Sequence, residues 1–183
     1  MKILVTGGAG FVGANLVRAL ESELEVNQIN VIDDFSFGSR DNLAETSATV
    51  IEGSILDQSA LSEAVRNCSA VVHLAAQSSV PRSIEHPLAA HEINASGTVR
   101  VLEAARAAGV LQVIVASSSS VYGRTEVLPK NEDLPTRPMS PYAASKLATE
   151  SYALAWGECY DLPVLAFRFF NIFGPLQSPS HAY

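Results

Sequence analysis

The sequence predicts an α/β protein built on an open, doubly wound parallel sheet. Three observations carry this: six short apolar runs, longer helical segments between them, and a glycine-rich turn joining the first run to the first helix. A strand buried on both faces of a parallel sheet reads as a nearly continuous apolar run. Strand–helix alternation gives right-handed βαβ crossovers, with helices on both faces. The chain has 183 residues, 48% of them hydrophobic and 17% charged, so it is long for one domain and can bury a large core.

In chain order, strands are expected at Lys2–Thr6, Gln28–Asp33, Ala48–Glu52, Ala70–Leu74, Gln112–Ser117 and Pro163–Phe169. Helices are expected at Gly13–Leu24, Ser59–Arg66, Leu88–Ala108 and Pro141–Tyr160. Val99, Leu102, Ala105 and Ala108 keep helical spacing, and Gly109 is a natural stop. The stretch Arg124–Ser140 carries three prolines and is too long for a simple connection, which predicts a functional loop beside a site. Residues 171–183, with Pro175 and Pro179, show no periodic pattern and read as a loop, as if the sequence were truncated or a first domain.

Twelve Lys and Arg against nineteen Asp and Glu give a net charge of −7. No basic patch is present, so a nucleic-acid partner is excluded and any anionic ligand must be held by local donors. Lys2 and Ile3-Leu4-Val5 could open a signal peptide, but Gly7, Gly8 and Gly10 break the run. The longest uncharged stretch, Ala107–Gly123, is interrupted by Gly109, Gln112 and four serines, so no membrane span is expected. The chain therefore reads as soluble and cytoplasmic. Cys68 and Cys159 are far apart and read as free thiols of a reduced compartment. His73, His86, His91 and His181 have no ligand spacing, so no metal site is expected, and His73 reads as a satisfied core histidine.

The first strand runs into Thr6-Gly7-Gly8-Ala9-Gly10-Phe11-Val12-Gly13, where GxGxxG and GxxGxxG overlap. Either pattern supplies a tight turn, close backbone approach to a pyrophosphate, and a helix N-terminus aimed at it. A glycine turn alone is a weak signal. Its context strengthens it, because the second strand ends at Asp33, twenty residues after Gly13, placed to accept the adenosine ribose hydroxyls. A carboxylate there repels a 2′-phosphate, which favours NAD over NADP.

Tyr142 and Lys146 are four apart on the helix that opens at Pro141 and share a face. A tyrosine base near neutrality needs its pKa lowered by about three units, or roughly 4 kcal/mol. The lysine ammonium and a positive nicotinamide are expected to supply that. Ser117-Ser118-Ser119-Ser120 follow the fifth strand, at the carboxyl ends where such sheets bind ligands.

The motifs TGGAGFVG, Asp33, HLAAQ (His73–Gln77), SSSSVYG (Ser117–Gly123), YAASK (Tyr142–Lys146) and RFFNIFGP (Arg168–Pro175) occur in that order. Together they resemble the extended short-chain dehydrogenase/reductases, specifically the NAD-dependent nucleotide-sugar epimerases and dehydratases, over the whole chain. The resemblance implies a Rossmann-type NAD-binding domain over residues 1–183. It implies Tyr142 as acid/base, Lys146 on the nicotinamide ribose and the tyrosine, and Ser118 on the reacting hydroxyl. The glycine turn (Gly7, Gly10, Phe11, Val12, Gly13), Asp33, Asp34, Leu74, Ala75 and Ala76 would hold the dinucleotide. Ser119 and Asn171 would meet the substrate. Where the family often has Gly-Asp-(Ile/Leu) on adenine, this chain has Gly53-Ser54-Ile55, so Ser54 and Ile55 would line that position without the acid.

Dehydratases of the family carry Asp and Glu, and the UDP-glucuronate decarboxylases a Glu, where this chain has Ser119 and Ser120. The resemblance therefore implies a 4-epimerase acting on a UDP-sugar. UDP-glucose comes first, with UDP-N-acetylglucosamine or UDP-glucuronate as alternatives; Ser79–Ser83 and Leu128-Pro129-Lys130 look like the first two enzymes. Arg82 reads equally as a substrate contact or a surface arginine. Family members continue past residue 183 into a region that closes over the sugar nucleotide. This implies a module that folds and binds NAD but turns over poorly or not at all, with Phe169, Phe170 and Phe173 exposed for self-association as a homodimer or for a partner chain.

Overall fold

A computed structural model describes residues 1–177. Six strands, β1 (Lys2–Thr6), β2 (Gln28–Asp33), β3 (Thr49–Glu52), β4 (Ala70–His73), β5 (Gln112–Ser118) and β6 (Val164–Phe169), form one sheet. Their order is β3-β2-β1-β4-β5-β6, and every pairing is parallel. The order reverses between β1 and β4. In an open parallel sheet that reversal splays the following loops apart and leaves a crevice at the carboxyl ends.

The helices are α1 (Phe11–Glu21), α2 (Gln58–Ala64), α3 (Val80–Glu85), α4 (Pro87–His91), α5 (Gly97–Ala107) and α6 (Pro141–Tyr160). One core face packs Leu4, Ile32, Val71, Val113 and Val115 against Leu61, Val101, Leu102 and Ala153. The other packs Ile3, Val5 and Val31 against Ala14 and Val17 of α1.

The fold departs from the sequence expectations in several places. Helix α1 starts at Phe11, because the amide of Ala14 already bonds the Gly10 carbonyl at 2.9 Å; Gly13 lies inside its first turn. The expected helix Leu88–Ala108 is present from Pro87 to Ala107 but contains a π turn at Glu92–Ser96. That turn brings Asn94 onto Gln77 and onto Ser145 at 2.9 Å. A short helix, α3, capped by Ser79 with Pro81 in its first turn, and 3-10 turns at Arg40–Leu43 and Ser119–Tyr122 add to the expected set.

The outer strands are not buried on both faces. Helix α6 packs on β6, whereas Leu165 and Phe167 on the opposite face are each 44% exposed, and β3 is largely exposed. Both are edge strands. Phe170 and Phe173 are exposed, while Phe169 is half-covered by stacking on Phe167. Finally, Arg124–Ser140 lines no part of the cleft described below. It packs behind the 3-10 turn, with the Arg137 amide on the Val121 carbonyl at 2.8 Å. Among the described residues no helix is long and apolar enough to cross a membrane.

Candidate active site

A cleft of about 930 Å³ opens along the carboxyl ends of the central strands. Its floor begins at the glycine turn. Gly7 takes φ +70°, and a Cβ there would lie 2.7 Å from the Ala75 backbone. A Cβ on Gly13 would lie 2.3 Å from the Gly7 carbonyl oxygen. Gly10 precedes α1 and has no side chain to cap it, so the first-turn amides have no side-chain acceptor. An uncapped helix N-terminus facing a cleft is an anion site.

Asp33, at the end of β2, accepts the amides of Ala9 and Phe35, each at 2.9 Å. It thus ties the glycine turn to the loop after β2. Burial raises its pKa, and the two backbone hydrogen bonds oppose the rise. Asp34 accepts the Ser36 amide at 3.0 Å. Ser54 Oγ accepts the amide of Leu56 at 3.2 Å.

Behind the turn lies His73, 3% exposed. Its Nε2 is 3.0 Å from Thr98 Oγ1, whose own proton goes to the Asn94 carbonyl at 2.6 Å. Nε2 is therefore the protonated nitrogen, and Nδ1 accepts from Thr6 Oγ1 at 2.7 Å. Thr6 Oγ1 in turn accepts the Ala75 amide at 3.2 Å. His73 is a satisfied core histidine, as its position predicts. Burial, helped by the charge of Lys146, pushes its pKa down to about 3.

That shift makes a stability prediction. An unfolded histidine takes up a proton near pH 6.5, whereas folded His73 does so only near 3. Its depressed pKa contributes stability that is present above about pH 6.5 and lost as pH falls towards 3. The expected loss from this residue between pH 6.5 and 5 is about 2 kcal/mol. Denaturant melts at the two pH values measure it. His73→Asn, which cannot titrate, should show a shallower acid loss; an equal slope contradicts the assignment.

The reactive end of the cleft is built by α6 and the serine turn. Ser140 caps α6 through the Ala143 amide, and the Tyr142 amide bonds Ser83 Oγ at 3.0 Å. Lys146 is 5% exposed, and burial lowers its pKa to about 8. Burial raises the pKa of the Tyr142 phenol, and the neighbouring Ser118 hydroxyl opposes the rise. Lys146 and the positive nicotinamide remain the groups expected to favour the phenolate once NAD is bound. Ser118 Oγ accepts from the Ser120 amide at 3.2 Å and the Ser120 hydroxyl at 2.9 Å. Its own proton remains for Tyr142.

All the predicted site residues line this one cleft: Gly7, Gly10, Phe11, Val12, Gly13, Asp33, Asp34, Ser54, Ile55, Leu74, Ala75, Ala76, Ser118, Ser119, Tyr142, Lys146 and Asn171. Among the described residues, Asp33 and Asp34 are the carboxylates that line it. Arg82 does not line it; the guanidinium sits 4.8 Å over the exposed Phe37 ring. Leu128-Pro129-Lys130 also lies away from it, with Lys130 bonding the Thr125 carbonyl at 3.0 Å. Phe37 lines the cleft without having been singled out, and Gln77, quoted only as the end of HLAAQ, lines it too. Among the described residues no three His, Cys, Asp or Glu gather to hold a metal, and Cys68 and Cys159 are free; His181 lies outside those residues.

The sequence profile of the NAD dependent epimerase/dehydratase family matches residues 3–183. The chain is 40% identical to the UDP-glucose 4-epimerase of Mycolicibacterium smegmatis, across 98% of this chain and 58% of that protein. It superposes on the Thermus thermophilus UDP-glucose 4-epimerase complex with NAD at TM-score 0.92 and 37% identity, covering 98% of this chain and 58% of that one. It superposes on the Streptomyces venezuelae dTDP-glucose 4,6-dehydratase with NAD bound at TM-score 0.94 and 37% identity, covering 98% and 59%. The chain therefore spans less than two thirds of the length of these relatives.

Proposed function

The chain belongs to the NAD dependent epimerase/dehydratase family, and from that premise we propose that residues 1–183 form an NAD-binding domain carrying the catalytic helix of a UDP-sugar 4-epimerase. UDP-glucose and UDP-galactose are the proposed pair. The observation that carries this reading is the chemistry around Tyr142. Ser118, Ser119, Ser120 and Lys146 stand at that end of the cleft, and among the described residues the carboxylates lining it, Asp33 and Asp34, end or follow β2. A site that moves a proton and a hydride but eliminates no water needs hydroxyls and a base, and no second carboxylate.

NAD fits these residues. The uncapped α1 and the bare Gly10 leave amides for a pyrophosphate, and Asp33 keeps lone pairs for the adenosine ribose beyond those used by Ala9 and Phe35. Ser54, Ile55 and Leu74–Ala76 would line the adenine and the dinucleotide, with Lys146 on the nicotinamide ribose. When bound, NAD would supply a reversible hydride acceptor and a positive ring charge. Tyr142 takes the proton of the sugar C4 hydroxyl as C4 loses hydride, and Ser118 holds that oxygen in place. Tyr142 would give the proton back to that oxygen once the sugar presents its other face, so C4 would be inverted with no net redox change. Ser119 and Asn171 would contact the substrate.

NAD is expected to bind at least about tenfold more tightly than NADP, because Asp33 repels a 2′-phosphate. Calorimetric titration with both cofactors checks this. Asp33→Ala should weaken NAD, partly by freeing the Ala9 and Phe35 amides, and should narrow the ratio; an unchanged ratio contradicts the role.

The reading as a whole is tested by incubating the chain with NAD and, separately, UDP-glucose, UDP-N-acetylglucosamine and dTDP-glucose, with products separated by chromatography. UDP-galactose from UDP-glucose supports it. A 4-keto-6-deoxy product makes the chain a dehydratase, and NAD binding without conversion makes it a binding module.

A further inference from the structure

Glu150 lies four residues past Lys146 and eight past Tyr142 on the same face of α6, and it is 7% exposed. It lines no part of the cleft. Ser117 Oγ donates to Glu150 Oε2 at 2.8 Å. Arg168 of β6 donates Nη2 to Oε1 at 2.6 Å and Nε to Oε2 at 3.0 Å, a two-pronged grip. The other arm of Arg168 bonds the Glu132 carbonyl at 3.2 Å, and its guanidinium lies 4.9 Å over the Tyr122 ring. One ion pair thus joins α6, the end of β5, β6 and the chain following the serine turn.

Such a pair is expensive to bury, and well-packed apolar residues could fill the space at no loss of stability. It is also the type of pair that fixes register when several elements meet on it. Hydrogen bonding to Ser117 and Arg168 holds Glu150 below the usual carboxylate range despite its burial.

We propose that Glu150 and Arg168 are positioning residues that act through Ser117: they anchor the end of β5 so that the next residue, Ser118, presents its hydroxyl to Tyr142. The inference rests on the Ser118–Tyr142 pair of the proposed function. Ser117 is 3% exposed and its hydroxyl is committed to Glu150, so its position fixes the backbone that carries Ser118. Releasing Ser117 lets the turn drift from α6, and a hydrogen bond weakens steeply with distance and angle.

The test is NMR of the chain with tyrosine labelled with ¹³C at Cζ, the Tyr142 signal being the one lost in Tyr142→Phe. Ser118→Ala sets the displacement caused by complete loss of the hydrogen bond. Ser117→Ala, which leaves the ion pair intact, is expected to give more than half that displacement. It should also raise the alkaline midpoint of Tyr142 by about half to one pKa unit, the worth of a neutral hydrogen bond. Ser117→Thr, which keeps the hydroxyl, should restore both. Glu150→Gln, which loosens the grip of Arg168, should move the signal in the same direction. If Ser118→Ala moves the signal while folded Ser117→Ala and Glu150→Gln leave it at the native position, the positioning role is overturned. If Ser118→Ala itself has no effect, the Ser118–Tyr142 pair falls, and the positioning role with it.

Discussion

Tyr142→Phe is expected to remove turnover of the UDP-sugar by about a hundredfold to ten-thousandfold while leaving NAD affinity nearly intact. The ring fills the same space, so what is lost is the phenol oxygen proposed to transfer the proton and its interaction with Ser118. The cost in stability is about 1 kcal/mol. Lys146→Ala should behave differently, weakening NAD as well, because it removes the proposed ribose contact and a buried cation together. Parallel epimerase assays and NAD titrations separate the two variants. Substantial activity in Tyr142→Phe means that another group is the base.

Gly13→Ala is expected to lower NAD affinity by more than about tenfold and to cost about 1–3 kcal/mol of stability. The added Cβ would meet the Gly7 oxygen at 2.3 Å and Gly8 Cα at 2.6 Å, both backbone atoms. Relief therefore requires moving either α1 or the turn that would cradle the pyrophosphate. Gly109→Ala is the matched control. That residue has φ +68° but nothing within 4 Å of its Cβ, so it should cost about 1 kcal/mol and leave NAD binding unchanged. Calorimetry with NAD and denaturant melts of both variants check the pair. Equal effects on NAD binding would remove the glycine turn from the cofactor site.

The layered sheet was legible because its central strands carry their burial in composition. Ile3-Leu4-Val5, Val31-Ile32 and Val71-Val72 are apolar on both faces, and both faces are covered. The edge of the sheet was not. Val164–Phe169 has the same apolar look, but only its position beyond β5 leaves Leu165 and Phe167 open, and position is a tertiary property. The π turn at Glu92–Ser96 was equally hidden, since one extra residue in a hydrogen-bonded ring barely disturbs a helical apolar pattern.

The cleft was legible where chemistry is local in sequence. The glycine turn, Asp33 and the Tyr142–Lys146 spacing each point to a site without long-range information. The surroundings of the phenol were not legible: burial raises its pKa, and Ser118, twenty-four positions away, opposes the rise. Glu150 did leave a signal, one more step of four along the helix face after Lys146. Its partners Ser117 and Arg168 come from two other strands, so only the fold could make that step meaningful.

The central claim is reversible oxidation at C4 of a UDP-sugar within this cleft, and an isotope measurement reaches it most directly. UDP-galactose carrying deuterium at C4 is incubated with the chain and NAD in ordinary water, and the UDP-glucose formed is isolated and analysed by mass spectrometry and NMR. Retention of deuterium at C4 of the UDP-glucose is the predicted result, because the hydride that leaves C4 returns to it without meeting solvent. UDP-glucose that carries solvent hydrogen at C4 contradicts the account.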